Sequence, residues 1–218
     1  SGASVRVVFG KTWWAEQELR ALLRNPFVAE CFGERTSLRR AVLTTPGCSG
    51  VSCYNRWLNL EQRTLGDSRY VNQTRIPFSL GDDKLAVMAD EVAAWEPAFL
   101  DVDPVHGAWF ALHCERHGRR FPSLRFILTS YEFTSVTHRA IMERVFGVPV
   151  IDLYGSSETG HLLVETDGIM RPSPETALLE STTATGIGEL LVSTLTNPYL
   201  PLVRYEIGDY VERVAGGY

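Results

Sequence analysis

Seven consecutive residues concentrate chemically useful groups in this 218-residue chain: Tyr154-Gly155-Ser156-Ser157-Glu158-Thr159-Gly160. They follow an apolar run, residues 148–154, that reads as a strand. A small-residue loop at the carboxyl end of a sheet strand exposes backbone N–H groups, and open α/β sheets bind ligands in that crevice. The lone carboxylate of Glu158 suits a hard cation such as Mg²⁺. Tyr154 offers a ring face on which a base can stack. The competing reading is a tight turn with a solvated glutamate. A hydrolase nucleophile elbow is excluded, because GxSxG needs glycine where Thr159 stands.

Two further stretches carry chemistry. In Arg204-Tyr205-Glu206-Ile207-Gly208-Asp209 a carboxylate follows a glycine turn, an arrangement that can accept two hydrogen bonds from a ribose diol. The alternative is an ordinary turn aspartate. His113-Cys114-Glu115-Arg116-His117 puts His113 and His117 at i, i+4 on one helical face, a spacing that can grip zinc. No clear third and fourth ligand follows, with Cys31, Cys48, Cys53 and His106 as candidates. The alternative here is a helix with surface histidines.

The elements that must position these groups alternate in type. Residues 13–27 read as an amphipathic helix stopped at Asn25-Pro26. An apolar run at 41–43 leads into the small-residue stretch 44–50. Helices are expected at 84–95, at 104–117 with proline in the favoured first position, and at 135–146 before Gly147. Strands are expected at 124–129, 148–154, 188–194 and 202–206. Two more, at 161–165 and 169–171, flank the Asp167-Gly168 hairpin signal. A strand-helix-strand unit joined to hairpins predicts an α/β fold with a mixed sheet flanked by helices.

Composition narrows the function classes. Hydrophobic residues make up 44% and charged residues 22%, which excludes disorder and collagen-like structure. No run approaches the roughly 20 apolar residues of a membrane span, so no membrane partner is expected. Twenty-one basic against 26 acidic residues give a net charge of −5, which argues against nucleic acid as a partner. The four cysteines form no CxxC pair, consistent with reduced thiols in a cytoplasmic protein. Only Lys11 and Lys84 are lysines, and the arginine-heavy remainder fits a bacterial source.

Taken together, Pro122 to Leu128, Glu132, Tyr154 to Glu158, Gly188-Glu189-Leu190, Pro201 to Tyr205 and Gly208-Asp209 resemble the adenylate-forming superfamily. The phenylacetate-CoA ligase and coenzyme F390 synthetase branch, with its "fg.pv.d.YG.tE.g" and "GELv.T.L.n...PliRY.tGD" patterns, is the nearest. The resemblance covers residues 96–214. It implies an N-terminal core of such an enzyme, with residues 1–218 as a single nucleotide-binding core and the C-terminal lid domain absent. It further implies ATP-dependent activation of a carboxylic acid as an acyl-adenylate, with ATP and Mg²⁺, and transfer to coenzyme A or another acceptor.

Carried over by position, Tyr154 lies along the adenine, with Gly155, Ser156 and Ser157 beside the nucleotide. Glu158 ligates magnesium, and Thr159 approaches the α-phosphate. Asp209 holds the ribose hydroxyls. Glu132, in Ser130-Tyr131-Glu132, and Arg204 complete the nucleotide-binding set. The family's phosphate loop would fall at residues 43–52, where Pro46 removes an N–H donor. The catalytic lysine of the family comes from the lid domain, and neither Lys11 nor Lys84 is placed to replace it. A carrier protein or separate C-terminal domain is therefore an expected partner. The alternative function is a degenerate, non-catalytic homologue that binds a ligand or partner.

Overall fold

The computed structural model describes residues 6–43, 58–72 and 80–218. Most of the phosphate-loop stretch (44–52), with Cys48, and also Cys53 lie outside the described residues. The chain forms two compact units: Glu34–Asp152, and Ser1–Gly33 together with Leu153–Tyr218.

The contiguous unit is a helix-flanked sheet. Its strands are β1 (Arg40–Val42), β2 (Thr64–Leu65), β3 (Ser68–Tyr70), β4 (Phe99–Val102), β5 (Phe126–Thr129) and the start of β6 (Val150–Ser156). They lie in the order β2-β3-β1-β4-β5-β6. Neighbours are parallel except the antiparallel β2–β3 pair, so the sheet is mixed. The α/β fold expected from the sequence is present. Every residue of β4 and β5 is buried, as parallel strands covered on both faces must be. Phe99 and Phe126 stack with ring centroids 4.7 Å apart.

Three helices cover this sheet: α3 (Asp82–Trp95), α4 (Pro104–Arg116) and α5 (Val136–Phe146). Each start has a local cause. Asp103 caps α4 by accepting from the N–H groups of Val105 (2.9 Å) and His106 (3.0 Å), and Pro104 takes the first helical position. Ser135 caps α5 through the His138 N–H, and Gly147 ends it. The Arg63 guanidinium, whose side chain is 3% exposed, meets both Glu91 oxygens at 2.8 Å.

The second unit joins the two ends of the described chain. Its helices are α1 (Trp13–Leu22) and α2 (Pro26–Phe32). Here the structure departs from the single helix expected over 13–27. The side chain of Asn25 caps α2 by accepting from the Val28 N–H at 3.0 Å, and Pro26 sits where its missing N–H costs nothing. The pair therefore ends one helix and starts the next. The remaining strands are β7 (Gly160–Thr166), β8 (Ile169–Pro172), β9 (Ala177–Ser181), β10 (Ile187–Thr194) and β11 (Tyr205–Glu212). The end of β6, β7 and β8 form a meander, with Thr166 opposite Ile169 across the expected Asp167-Gly168 turn. β9, β10 and β11 form a separate antiparallel sheet in the order β11-β10-β9. Leu162, Leu163, Ala177, Leu190 and Val192 make the core of this unit.

Among the described residues, no helix is long and apolar enough to cross a membrane.

Candidate functional site

The glutamate loop is tighter than the sequence suggests. β6 continues through Tyr154, Gly155 and Ser156, so the turn into β7 is only three residues, 157–159. The Ser156 hydroxyl oxygen accepts from the N–H groups of Glu158 (3.2 Å) and Thr159 (3.3 Å), a side-chain-closed turn. Two donors that could have faced a ligand are thus used internally. Thr159 is completely buried; its hydroxyl donates to the Gly160 carbonyl and lies 3.0 Å from the Ser156 hydroxyl. Ser157 is exposed and Glu158 half-buried. The Glu158 carboxylate makes no side-chain hydrogen bond or ion pair among the described residues.

Gly155 is required here by close approach. A Cβ at this position would lie 2.3 Å from the Gly160 carbonyl oxygen and 2.8 Å from the His161 Cα. The crowding coincides with a bulge, where Tyr154 opposes Leu163 but Gly155 opposes His161.

Asp209 does not sit in a simple turn. β11 runs straight through it, and its register against β10 jumps from Leu191↔Glu206 to Glu189↔Tyr210. The extra residues form a bulge around Gly208, whose φ of +88° a side-chain-bearing residue rarely adopts. That kink presents the exposed Asp209 to Tyr154, and the Tyr154 hydroxyl donates to Asp209 Oδ2 at 2.6 Å. Burial, and after it the bond to the Asp209 carboxylate, pushes the Tyr154 hydroxyl well above its ordinary pKa. It remains a proton donor throughout the physiological range.

The two motifs, 55 residues apart in sequence, therefore meet in one place. The other expected site residues are distributed differently. Arg204 precedes β11 in a left-handed conformation (φ +49°), and its guanidinium pairs with Glu180 of β9. Its backbone N–H donates to the Ser193 hydroxyl at 2.9 Å. Glu132 is exposed in the turn after β5 and belongs to the contiguous unit.

Sequence reasoning missed two participants. Asp152 accepts from the hydroxyls of Thr129 and Thr134 and lies 3.4 Å from an Arg139 nitrogen. It anchors the strand that leads into Tyr154, and its place two residues before the tyrosine was the available signal. The other is Asp82, which meets both candidate zinc histidines. Its carboxylate oxygens lie 2.8 Å from His113 Nδ1 and 3.3 Å from His117 Nε2. His106, by contrast, faces Asp103 at 3.5 Å.

No protein-family model and no curated protein matches the sequence. Solved structures do match in fold. A 2-hydroxyisobutyryl-CoA ligase in complex with 2-HIB-AMP and CoA, in its thioesterification state, superposes with a TM-score of 0.68 at 14% identity. That match covers 97% of this chain and 46% of the ligase. The open conformation of 2-hydroxyisobutyryl-CoA ligase gives 0.65 at 13% identity, covering 94% and 49%. An anthranilate CoA ligase in complex with anthranoyl-AMP gives 0.50 at 19% identity, covering 65% and 32%. The chain thus shares the α/β fold of these CoA ligases, and it spans about half the length of the 2-hydroxyisobutyryl-CoA ligase.

Proposed function

We propose that residues 1–218 form the nucleotide-binding core of an adenylate-forming ligase of the phenylacetate-CoA ligase type. Its reaction would be ATP-dependent activation of a carboxylic acid as an acyl-adenylate, followed by transfer to coenzyme A or another acceptor. The observation that carries this reading is the hydrogen bond between Tyr154 and Asp209 beside the closed Ser156–Thr159 turn. An aromatic face and a carboxylate suited to a diol stand together, which is what an adenosine moiety requires. The ligase fold supports the same conclusion.

Each residue then has a physical task. Asp209 is exposed and has an oxygen beyond the one bound by Tyr154, so it can accept from ribose hydroxyls. Tyr154, held by that bond, offers its ring to the adenine. Gly155, Ser156 and Ser157 shape the wall beside the nucleotide, with Arg204 contributing from its own segment. Glu158 fits a magnesium ligand, because its carboxylate is uncommitted and hard oxygen donors suit that cation. When bound, Mg²⁺ would offset the charge of the triphosphate. Thr159 acts as a positioning residue: its buried hydroxyl holds the turn that aims Glu158. The lysine of the family's lid domain would come from a further segment or a separate chain, and a carrier protein is the alternative acyl acceptor.

The test is calorimetric titration with ATP and AMP, paired with ATP–pyrophosphate exchange over a panel of carboxylic acids. Nucleotide should bind, and Asp209→Ala should lower its affinity at least about tenfold, the equivalent of roughly 1.4 kcal/mol. Equal affinity of wild type and variant overturns the site. Nucleotide binding without exchange, even after addition of the lid domain, overturns the adenylation reading.

A further inference from the structure

Asp82, His113 and His117 converge in a way that the nucleotide reading does not use. Asp82 is the first residue of α3, whereas the histidines sit one turn apart at the end of α4. One ligand-type atom from each of the three lies within 4.8 Å of the others. His113 is nearly stripped of water, its side chain only 4% exposed, while Asp82 and His117 remain open at 58% and 45%. The imidazole rings stand 4.4 Å apart, tilted by 38°.

We propose that these three residues form a binding site for a divalent transition-metal ion of the zinc type. The donor set, two imidazole nitrogens and one carboxylate oxygen, is of borderline hardness and leaves a fourth position for water or an external ligand. In a tetrahedral zinc site with bonds of about 2.0–2.1 Å, ligand atoms stand about 3.3–3.4 Å apart. His117 Nε2 stands 3.3 Å from Asp82 Oδ2, whereas His113 Nδ1 meets the other oxygen, Oδ1, so the carboxylate would turn to present a single oxygen to both rings. The His113–Asp82 pair, at 2.8 Å, would open by roughly half an ångström as metal replaces the shared proton. Cys114, between the histidines, takes no part: it is fully buried, and burial raises its thiol to about 12. The bound ion would staple the start of α3 to the end of α4.

The competing arrangement is a purely ionic network. Arg116 Nη1 lies 3.7 Å from Asp82 Oδ1, and its side chain is 72% exposed. Arg116→Ala separates the two accounts. A cation beside the metal weakens its binding, so removing Arg116 should tighten zinc affinity. In a metal-free network the same change only removes a partner of Asp82.

The experiment uses untagged, chelator-treated protein titrated with Zn²⁺ and with Co²⁺. One equivalent of zinc should bind and raise the thermal midpoint progressively with free zinc. Co²⁺ should give the visible absorption of a tetrahedral centre. Asp82→Asn and His117→Ala, both at exposed positions, should weaken zinc by more than the roughly 10–100-fold that loss of an outer-shell partner costs. Absence of stoichiometric binding overturns the proposal. So does zinc affinity unchanged by both variants, or zinc affinity that falls in Arg116→Ala. Nucleotide plays no part in any arm, so the outcome is independent of the ligase reading.

Discussion

The two compact units place their functional groups by different physical means. In Glu34–Asp152, position follows from burial. Strands β4 and β5 have no exposed residue, and helix caps such as Asp103 and Ser135 start helices whose side chains fill one core. In the unit made from the two chain segments, half-exposed strands carry the candidate site: all of β8 is intermediate, and most of β11 around Asp209 is open. There, position follows from bulges, a three-residue turn and one side-chain hydrogen bond. A buried scaffold tolerates little change of volume, whereas an exposed, turn-built site tolerates little change of backbone conformation.

That contrast can be broken by experiment. The largest expected effect is Phe126→Ala, which removes a fully buried ring stacked on Phe99 and should cost about 3–5 kcal/mol in urea unfolding. Gly155→Ala should cost about 1–3 kcal/mol, because the nearest obstacle is backbone rather than a flexible side chain. It should also weaken nucleotide binding, since Tyr154 and the turn must shift. A Gly155→Ala loss equal to that of Phe126→Ala would erase the distinction. Gly208→Ala meets no atom within 4 Å, so only its left-handed conformation is penalised, by roughly 1–2 kcal/mol. Its effect should be larger on nucleotide titration than on the unfolding midpoint. Tyr154→Phe is the mildest. Loss of one hydrogen bond to an exposed carboxylate, about 0.5–1.5 kcal/mol, should reduce nucleotide affinity by roughly two- to tenfold with stability nearly unchanged. A stability loss above the affinity loss would make Tyr154 a scaffold residue.

Local signals were readable wherever local chemistry decides. Asp103-Pro104 announces α4, Ser135 and Gly147 bracket α5, and Asp167-Gly168 joins β7 to β8, because caps and turns depend on neighbours in sequence. Elements decided by tertiary contact were harder. β4, Phe99–Val102, is buried on both faces and therefore has no alternation to betray it. Asn25-Pro26 stops a helix and starts another with equal chemical logic, and only the packed structure selects both. Gly208-Asp209 reads as a turn, yet the glycine serves a bulge inside a continuous strand. The meeting of Tyr154 with Asp209 was legible only through family resemblance. Asp82 could not be found by spacing, since 31 residues separate it from His113.

One topological feature also sets an order of events during synthesis. The indole of Trp13 donates to the Thr196 hydroxyl at 3.0 Å across 183 residues, and Asn197 donates to the Val8 carbonyl at 2.9 Å across 189. On the ribosome, α1 emerges long before these partners do. Glu34–Asp152 is contiguous and can complete its own core while Leu153–Tyr218 is still being translated. At about 5–20 residues per second, that interval lasts several seconds. During it, Trp13 lacks the Thr196 hydroxyl and the Gly160 backbone that it later meets. The nascent chain therefore passes through a stage with a finished middle and an unpaired, apolar N-terminal segment, the natural point for a chaperone to engage.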